Sequence, residues 1–132
     1  MATFAITAKL LEDRFFGERG VTQAPRGAET CALLIEEFGA EVSQRLRAVN
    51  VDPDAITDVD SPDSFAWCQA TTLYGIAAEF PRRMRWPESD TYATWDEKFR
   101  QRLVDLGRNP NAVLKDAASS VQSSAGVRHV FV

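Results

Sequence analysis

The sequence predicts an all-α protein: a small bundle of four to five helices followed by an extended C-terminal tail. Apolar residues recur every three or four positions through most of residues 28–106, as on the buried face of a helix. Proline, glycine, serine and aspartate separate these stretches at positions typical of helix ends. After residue 118 the periodicity is lost and small polar residues follow. We therefore divide the chain into a bundle domain, residues 1–118, and a tail, residues 119–132.

Composition narrows the possible classes of function. The 132 residues include 15 Lys and Arg against 19 Asp and Glu, a formal net charge of −4. A net acidic chain has no overall attraction for phosphates, which argues against a simple nucleic-acid binder. A net negative charge is still compatible with a protein that surrounds DNA without binding it tightly. The sequence has neither a bilayer-spanning apolar run nor a signal-peptide pattern, so we expect synthesis in a cytoplasm, with Cys31 and Cys68 reduced and buried.

The N-terminal segment, residues 1–27, is the hardest part to interpret. Ile6, Leu10 and Phe15 suit a helix that ends at Gly17, whereas Phe4, Ile6 and Ala8 also suit a short strand. Residues 17–27 contain three glycines and a proline and are predicted to form a loop. The sequence leaves open whether this segment packs on its own bundle or on a neighbouring subunit.

The next helix is predicted by one apolar stripe about five turns long, with charged residues on the opposite face. Gly39 lies inside this helix and is a candidate for a close helix crossing. Asn50 and Pro53 are expected to follow its end. The stripe comprises Cys31, Ile35, Phe38, Val42, Leu46 and Val49.

A third helix begins with a strong start signal. Ser61 is the expected N-cap, Pro62 the first helical residue and Asp63 an acid in the first turn. Because Pro81 disfavours helical geometry at the preceding residue, we expect the helix to end at Phe80. Apolar residues cover much of its circumference, which predicts that it is the central helix.

The fourth helix is predicted to open at Ser89 and Asp90, which serve as caps, and to end near Gly107. Residues 110–118 suit a short fifth helix with Asn109 as its cap. The core stripe of the fourth helix comprises Tyr92, Trp95, Phe99, Leu103 and Leu106.

The loop between the second and third helices is strongly acidic and contains no lysine or arginine. A calcium-binding loop of the EF-hand type would need glycine and glutamate where this loop has Thr57 and Asp63. Turn and capping chemistry is the better interpretation, because aspartate favours both. A like-charged loop also suits a surface that faces something it must not bind. Its candidate residues are Asp52, Asp54, Asp58 and Asp60.

The only dense basic cluster follows the third helix and comprises Arg82, Arg83, Arg85 and Trp86. Such arginines often lie at a helix C-terminus and pair with nearby acids. A docking patch is the second interpretation, since arginine and tryptophan are enriched among interface hot spots. A short nucleic-acid patch is the third.

The sequence shows no constellation for catalysis, cofactor binding or metal binding. The single histidine, His129, lies four residues from the end, and the two cysteines are 37 positions apart with no ligand nearby. No phosphate-binding glycine loop is present. We therefore expect a protein that is not an enzyme and carries no cofactor or metal. The apolar end of the tail is the best candidate docking element: Val127, Arg128, Val130, Phe131 and Val132.

The order of these parts resembles the head–tail connector (adaptor or head-completion) family of tailed bacteriophages and gene-transfer particles. Leu-Ile-Glu-Glu-Phe at residues 34–38, continuing to Arg47, is similar to the family's long early helix. Ser-Pro-Asp at residues 61–63 resembles the opening of its alanine-rich central helix, residues 66–80. Tyr-Ala-Thr-Trp at residues 92–95, continuing to Gly107, resembles its amphipathic closing helix. The resemblance covers roughly residues 22–118.

This resemblance implies a structural role in the virion neck. Family members form a homo-oligomeric ring, commonly a dodecamer, whose C-terminal segment embraces the portal protein. The opposite face is a platform for the next neck or tail-completion protein, and DNA passes through the lumen as cargo. The tail would then be the portal anchor, the acidic loop would line the channel or its rim, and the basic cluster would bridge subunits or the portal. The alternative is a stand-alone cytoplasmic interaction or regulatory module of a bacterium; a small enzyme accessory subunit is a weaker third possibility.

Overall fold

A computed structural model of the chain describes residues 3–17 and 20–117, and these residues form an all-α bundle. The helices are α1 (Ala8–Leu11), α2 (Gly27–Ala48), α3 (Pro62–Arg83), α4 (Asp90–Arg108) and α5 (Pro110–Val113). A π-helical turn, Glu12–Phe16, continues α1, and a 3₁₀ turn, Pro53–Ala55, follows α2. The predicted fold class is confirmed for this part of the chain.

Helix α3 is the centre of the bundle, as predicted. It packs against α2 on one side and α4 on the other, and eleven of its residues are buried. Two adjoining clusters of buried residues form the core. One surrounds Cys68 near the start of α3 and includes Val42 and Leu106; the other surrounds Ile76 and Phe80 near its end.

The two core clusters meet where α2, α3 and α4 approach each other most closely. Phe38 of α2 packs against both clusters, and its ring lies edge-on to Phe99 of α4 with 5.2 Å between ring centroids. Gly75 of α3 faces these two rings. A Cβ atom at position 75 would lie 2.7 Å from Phe38 Cε1 and 3.0 Å from Phe99 Cδ1. The close crossing of the helices therefore depends on Gly75; the predicted candidate was Gly39, which is also buried.

The buried face of α2 includes more than the predicted stripe. Cys31, Val42 and Leu46 are buried as expected, while Ile35, Phe38 and Val49 are half-buried. Leu34 and Ser43, outside the stripe, are fully buried. The contact face is rotated because α2 packs against the N-terminal segment as well as α3.

The N-terminal segment packs on its own bundle. Phe4, Ile6 and Leu11 are buried in the core. The strand alternative is wrong, because Phe4 and Ala5 have positive φ angles of 53° and 56° and α1 starts at Ala8. The helical turn ends at Gly17, as predicted, where φ is +54°.

A single carboxylate ties this segment to the loop before α2. The Val21 and Thr22 N–H groups donate to Glu12 Oε1 at 2.6 and 2.8 Å, and the Thr22 hydroxyl donates to the same oxygen at 3.1 Å. These backbone bonds lower the pKa of Glu12 below its usual range. The N-terminal segment is therefore held by both apolar burial and a charge-assisted bond.

The predicted end of α3 at Phe80 is wrong, because the helix continues through Pro81 to Arg83. Proline's fixed φ is compatible with a helix, and its main local defect is a missing N–H. The carbonyls around it find donors: the Met84 N–H donates to Phe80 O at 3.0 Å and the Trp86 N–H to Pro81 O at 2.9 Å. Pro81 itself is buried, so packing favours the extra turn.

Helices α4 and α5 follow the prediction closely. Ser89 caps α4 by accepting the Thr91 N–H at 3.2 Å, and Asn109 caps α5 by accepting the Ala112 N–H at 3.4 Å. Of the predicted core stripe, Phe99, Leu103 and Leu106 are buried in the core, whereas Tyr92 and Trp95 are half-buried. Helix α5 is shorter than predicted and ends at Val113, although residues 115–117 are again helical. Within the described residues, no helix has the length and apolarity needed to cross a membrane.

Candidate functional site

The last described residues of the chain are fixed to the first turn of α3. Asp116 Oδ2 accepts the Asp63 N–H at 2.8 Å, and Asp116 Oδ1 accepts the Ser64 N–H at 2.9 Å and the Ser64 hydroxyl. The Ala117 N–H donates to Ser64 Oγ at 3.2 Å, and Ala117 is buried. The chain therefore enters residues 118–132 from a fixed point at this end of the bundle.

The predicted capping role of Ser61 is wrong in its detail. Ser61 occupies the N-cap position, but its side chain makes no capping hydrogen bond. Asp116, more than fifty residues away in sequence, accepts the free N–H groups instead. A carboxylate at a helix N-terminus also interacts favourably with the helix dipole. The local start signal placed the helix correctly, whereas the residue that caps it comes from the other end of the chain.

The stability of the fold should depend on the ionisation of Asp116. Partial burial raises the pKa of its carboxyl, but the hydrogen bonds from Ser64, Asp63 and Ala117 outweigh this and leave the pKa below its ordinary value. A lowered folded-state pKa contributes stability above the unfolded pKa near 3.8, and this contribution is lost as pH falls through the folded-state value. We expect the free energy of unfolding to decrease when the pH is lowered below about 4.

Urea unfolding of wild type and Asp116→Asn at a series of pH values measures this effect. The stability difference between the two proteins should be largest near neutral pH and should shrink as the pH falls below the wild-type folded-state pKa. A difference that stays constant down to pH 2 would show that the charge of Asp116 does not matter.

At the opposite end of α3, the basic cluster is partly engaged. Arg83 Nη2 lies 3.1 Å from Glu37 Oε2, and Arg83 Nε lies 3.9 Å from Glu79 Oε1. This pairing agrees with the interpretation of arginines at a helix C-terminus. Arg82 and Arg85 are exposed, and Arg85 has a positive φ of 58°. Arg83 is exposed as well, but among the described residues only Arg83 of these three arginines forms an ion pair.

Trp86 is packed into an aromatic cluster at this end of the bundle. Its ring lies 5.5 Å from the rings of both Phe16 and Phe80, and Phe16 also lies 5.7 Å from Trp95. The rings meet mostly edge to face, which is a favourable arrangement. Trp86 is half-buried, so its main role here is to join the N-terminal segment to the end of α3.

The acidic loop has a defined conformation. Asp52 Oδ1 accepts the Asp54 N–H at 3.0 Å, and Thr57 Oγ1 accepts the Asp60 N–H at 3.0 Å. Val51, Pro53 and Ile56 are buried beneath the loop. The capping interpretation is confirmed for Asp52. In the described part of the chain, no group of three or more histidine, cysteine, aspartate or glutamate residues is arranged to hold a metal ion.

The tip of this loop presents an apolar side chain to solvent. Val59 is 82% exposed, the most exposed large apolar residue among those described. Asp58 and Asp60 flank it and are also exposed. The loop leads directly into α3, so this tip lies at the same end of the bundle as Asp116.

A cleft that the sequence did not predict lies on the side of the bundle, between α3, α4 and the N-terminal segment. Its volume is about 400 Å³. Apolar and aromatic residues form most of the lining, and two cations, Arg14 and Lys98, complete it. The other lining residues are Phe15, Ala70, Leu73, Tyr74 and Trp95.

Cations and rings alternate along this side of α3. The Lys98 ammonium lies 5.4 Å from the centre of the Tyr74 ring, and the Arg102 guanidinium lies 5.3 Å from Tyr74 and 5.7 Å from Trp67. Arg102 also donates to Thr71 Oγ1 at 3.2 Å. Within the described residues, neither Arg14 nor Lys98 forms an ion pair. The cleft therefore combines an apolar and aromatic lining with two positive charges that no carboxylate of residues 3–17 or 20–117 pairs with.

The two cysteines have no features of a reactive site. Cys31 and Cys68 are free thiols buried in different parts of the core, as expected from the sequence. Burial raises the pKa of Cys31 to about 11 and that of Cys68 to about 12. Thiols with raised pKa values are poor nucleophiles at neutral pH.

Comparison of the chain with protein-family models, with curated proteins and with solved structures finds no match. The predicted tail residues, Val127, Arg128, Val130, Phe131 and Val132, lie outside the described residues, as does His129.

The candidate contact surfaces are distributed along the central helix. The acidic loop and the cap formed by Asp116 lie at the N-terminal end of α3, whereas Arg82 and Arg85 lie at its C-terminal end. At 1.5 Å per residue, the 22 residues of α3 separate these ends by roughly 33 Å. The cleft lies between them, at the level of residues 70–74. The exposed acidic and basic groups therefore lie at opposite ends of the central helix, with the cleft between them.

Proposed function

We propose that the protein is a structural head–tail connector of a phage-like particle. In this proposal, its subunits form a ring in the virion neck, with the portal protein on one side and a neck or tail-completion protein on the other. DNA passes through the ring as cargo and is not bound as a ligand. The protein acts by contact and position, without catalysis, cofactor or metal.

The observation that carries the proposal is the placement of candidate contact surfaces at opposite ends of α3. A connector needs two separate faces, because it joins two different partners. The last described residues, Asp116 and Ala117, lie at the N-terminal end of α3, and the proposed portal anchor follows them in sequence, so we assign this end to the portal. The exposed arginines Arg82 and Arg85, at the other end, are then available to the tail-side partner or to a neighbouring subunit.

The acidic loop supports the same arrangement electrostatically. Asp52, Asp54, Asp58 and Asp60 are all exposed on one loop. Carboxylates that face the lumen or its rim would repel DNA phosphates and keep the passing DNA mobile. A net charge of −4 favours the same outcome for the ring as a whole.

Removing residues 119–132 tests the tail's assigned role. The truncated protein keeps Asp116 and Ala117, so its thermal unfolding should differ little from that of the full chain. Its binding to purified portal protein of the same particle should be lost, because the proposed anchor is absent. Co-sedimentation and negative-stain microscopy of portal complexes measure binding and show whether rings form.

A matched control separates loss of the anchor from loss of fold. Val130→Asp with Phe131→Asp in the full chain should also abolish portal binding, while Glu97→Ser, at an exposed position of α4 outside the candidate surfaces, should leave portal binding intact. If the full-length protein remains monomeric or dimeric and does not bind the portal protein, the connector proposal is refuted and the stand-alone interaction module is favoured. Genes for portal, capsid and tail proteins beside this gene would independently support the connector.

A further inference from the structure

We infer that the side cleft binds the acidic loop tip of a second copy of this chain, with Val59 in the cleft and Asp58 and Asp60 beside its cations. This contact specifies how neighbouring subunits of the proposed ring meet, and to that extent it rests on the proposed function. In the assembled ring Asp58 and Asp60 would pair with the neighbour's cations, and Asp52 and Asp54 would be the carboxylates of the loop that remain for the lumen or its rim.

The cleft has the properties of a receptor for a small apolar group between negative charges. Its floor includes Phe15, Tyr74 and Trp95, and its volume of about 400 Å³ is ample for a valine side chain. Arg14 and Lys98 supply two positive charges with no carboxylate partner among the described residues. Apolar burial would provide affinity, and the charges would provide orientation and selectivity.

The loop tip has the complementary properties. Val59 is 82% exposed and lies between two exposed aspartates. The tip is held by the Asp60 N–H bond to Thr57 Oγ1 and by the Ser61 N–H bond to Thr57 O at 2.9 Å. A tip that is ordered before binding loses little conformational freedom on binding.

The tip and the cleft lie on different surfaces of one molecule. The tip is at the N-terminal end of α3, and the cleft is roughly 12–18 Å along the helix axis from that end, on the side of the helix. A contact between two different surfaces is heterologous, and it generates a ring or an open filament when it is repeated. The geometry therefore supplies a repeating contact, as a ring requires.

Cross-linking with full-length chains tests the contact directly. A chain carrying Val59→Cys is mixed with a chain carrying Ala70→Cys, which places a thiol in the cleft and keeps both cations, and a short bis-maleimide reagent is added. The native thiols are buried and should not react. We expect about tenfold more cross-linked dimer than in the matched mixture of Val59→Cys with Arg47→Cys, because the exposed Arg47 lies outside the cleft. Equal yields up to millimolar protein would overturn the inference.

Charge reversal tests both surfaces without cross-links. The cleft variant is Arg14→Glu with Lys98→Glu, and the tip variant is Asp58→Lys with Asp60→Lys. Each variant should weaken self-association about tenfold or more, as measured by analytical ultracentrifugation. The quadruple variant, which carries all four substitutions, should associate again because the reversed tip and the reversed cleft attract each other. The matched control, Glu97→Lys with Arg47→Glu on exposed positions outside both surfaces, should associate like wild type.

Neutral variants distinguish a heterologous from a two-fold contact. A chain with a neutral cleft, Arg14→Gln with Lys98→Gln, is mixed with a chain with a neutral tip, Asp58→Asn with Asp60→Asn. Each pair of unlike chains then retains one charged tip and one charged cleft and no second charge-matched contact, so the mixture should form dimers and stop there, whereas wild type continues to larger species. Failure of the quadruple variant to recover association would refute the charge pairing. The portal-binding assay is independent of these results, so a connector with a different subunit contact would still bind portal.

Discussion

Replacing Gly75 with alanine should destabilise the bundle by about 2 kcal/mol, even though alanine favours helices more than glycine does. The added Cβ would lie 2.7 Å from Phe38 Cε1 and 3.0 Å from Phe99 Cδ1, closer than a carbon can approach a ring. Either the rings or the helices must move, and both core clusters contain residues that pack against Phe38. Urea unfolding followed by circular dichroism measures the change as a lower midpoint at an unchanged slope.

Gly107→Ala is the matched control, because it places the same substitution in helix α4 with no heavy atom within 4 Å of the new Cβ. It should leave stability unchanged or raise it by up to about 1 kcal/mol. Adding Phe38→Leu to Gly75→Ala should recover part of the lost stability, since the smaller side chain makes room. A Gly75→Ala protein as stable as wild type would mean that the three helices do not cross as closely as described.

Replacing Asp116 with alanine should cost about 2 kcal/mol, the upper part of the range for losing a helix cap. Two backbone N–H groups and the Ser64 hydroxyl lose a charged acceptor at once. Amide hydrogen exchange provides a local measurement, because the Asp63 and Ser64 amides should exchange faster in the variant than in wild type. The exchange rates of amides in the middle of α4 should increase only by the amount that the loss of global stability predicts.

Ser61→Ala is the control for the cap. Its side chain makes no capping hydrogen bond, so the substitution should change stability by less than about 0.5 kcal/mol. If Ser61→Ala cost as much as Asp116→Ala, the local cap predicted from sequence would be correct after all and the long-range one would be incidental.

The sequence predicts helices well here because their signals are local. The apolar stripe of α4, the Pro62 start of α3 and the Gly17 end of the first helical turn all depend on residues within a few positions of each other. The predictions are wrong where a residue that is distant in sequence, or packing against the core, determines the local structure. Asp116 replaces Ser61 as cap, and the packing of Pro81 carries α3 past its predicted end.

The same limit applies to the candidate sites. The acidic loop and the basic cluster are contiguous in sequence and were therefore found, although pairing with Glu37 engages Arg83 and packing on Phe16 and Phe80 engages Trp86. The side cleft draws its lining from three separate segments, around residues 14–15, 70–74 and 95–98. Periodicity assigned Trp95 to the core, and no motif in the sequence singles out Arg14 or Lys98. Only the folded chain brings them together.

The long-range cap also has a consequence for the order in which a newly made chain matures. Asp116 is synthesised 53 residues after Asp63, a delay of roughly 3 to 10 s at ribosomal rates of about 5–20 residues per second. During that interval the first turn of α3 lacks its acceptor. The bundle is therefore completed only after residues 64–115 have also been synthesised. Until then the free N–H groups at the start of α3 have no side-chain acceptor, so a newly made chain reaches its final stability late in the synthesis of the bundle.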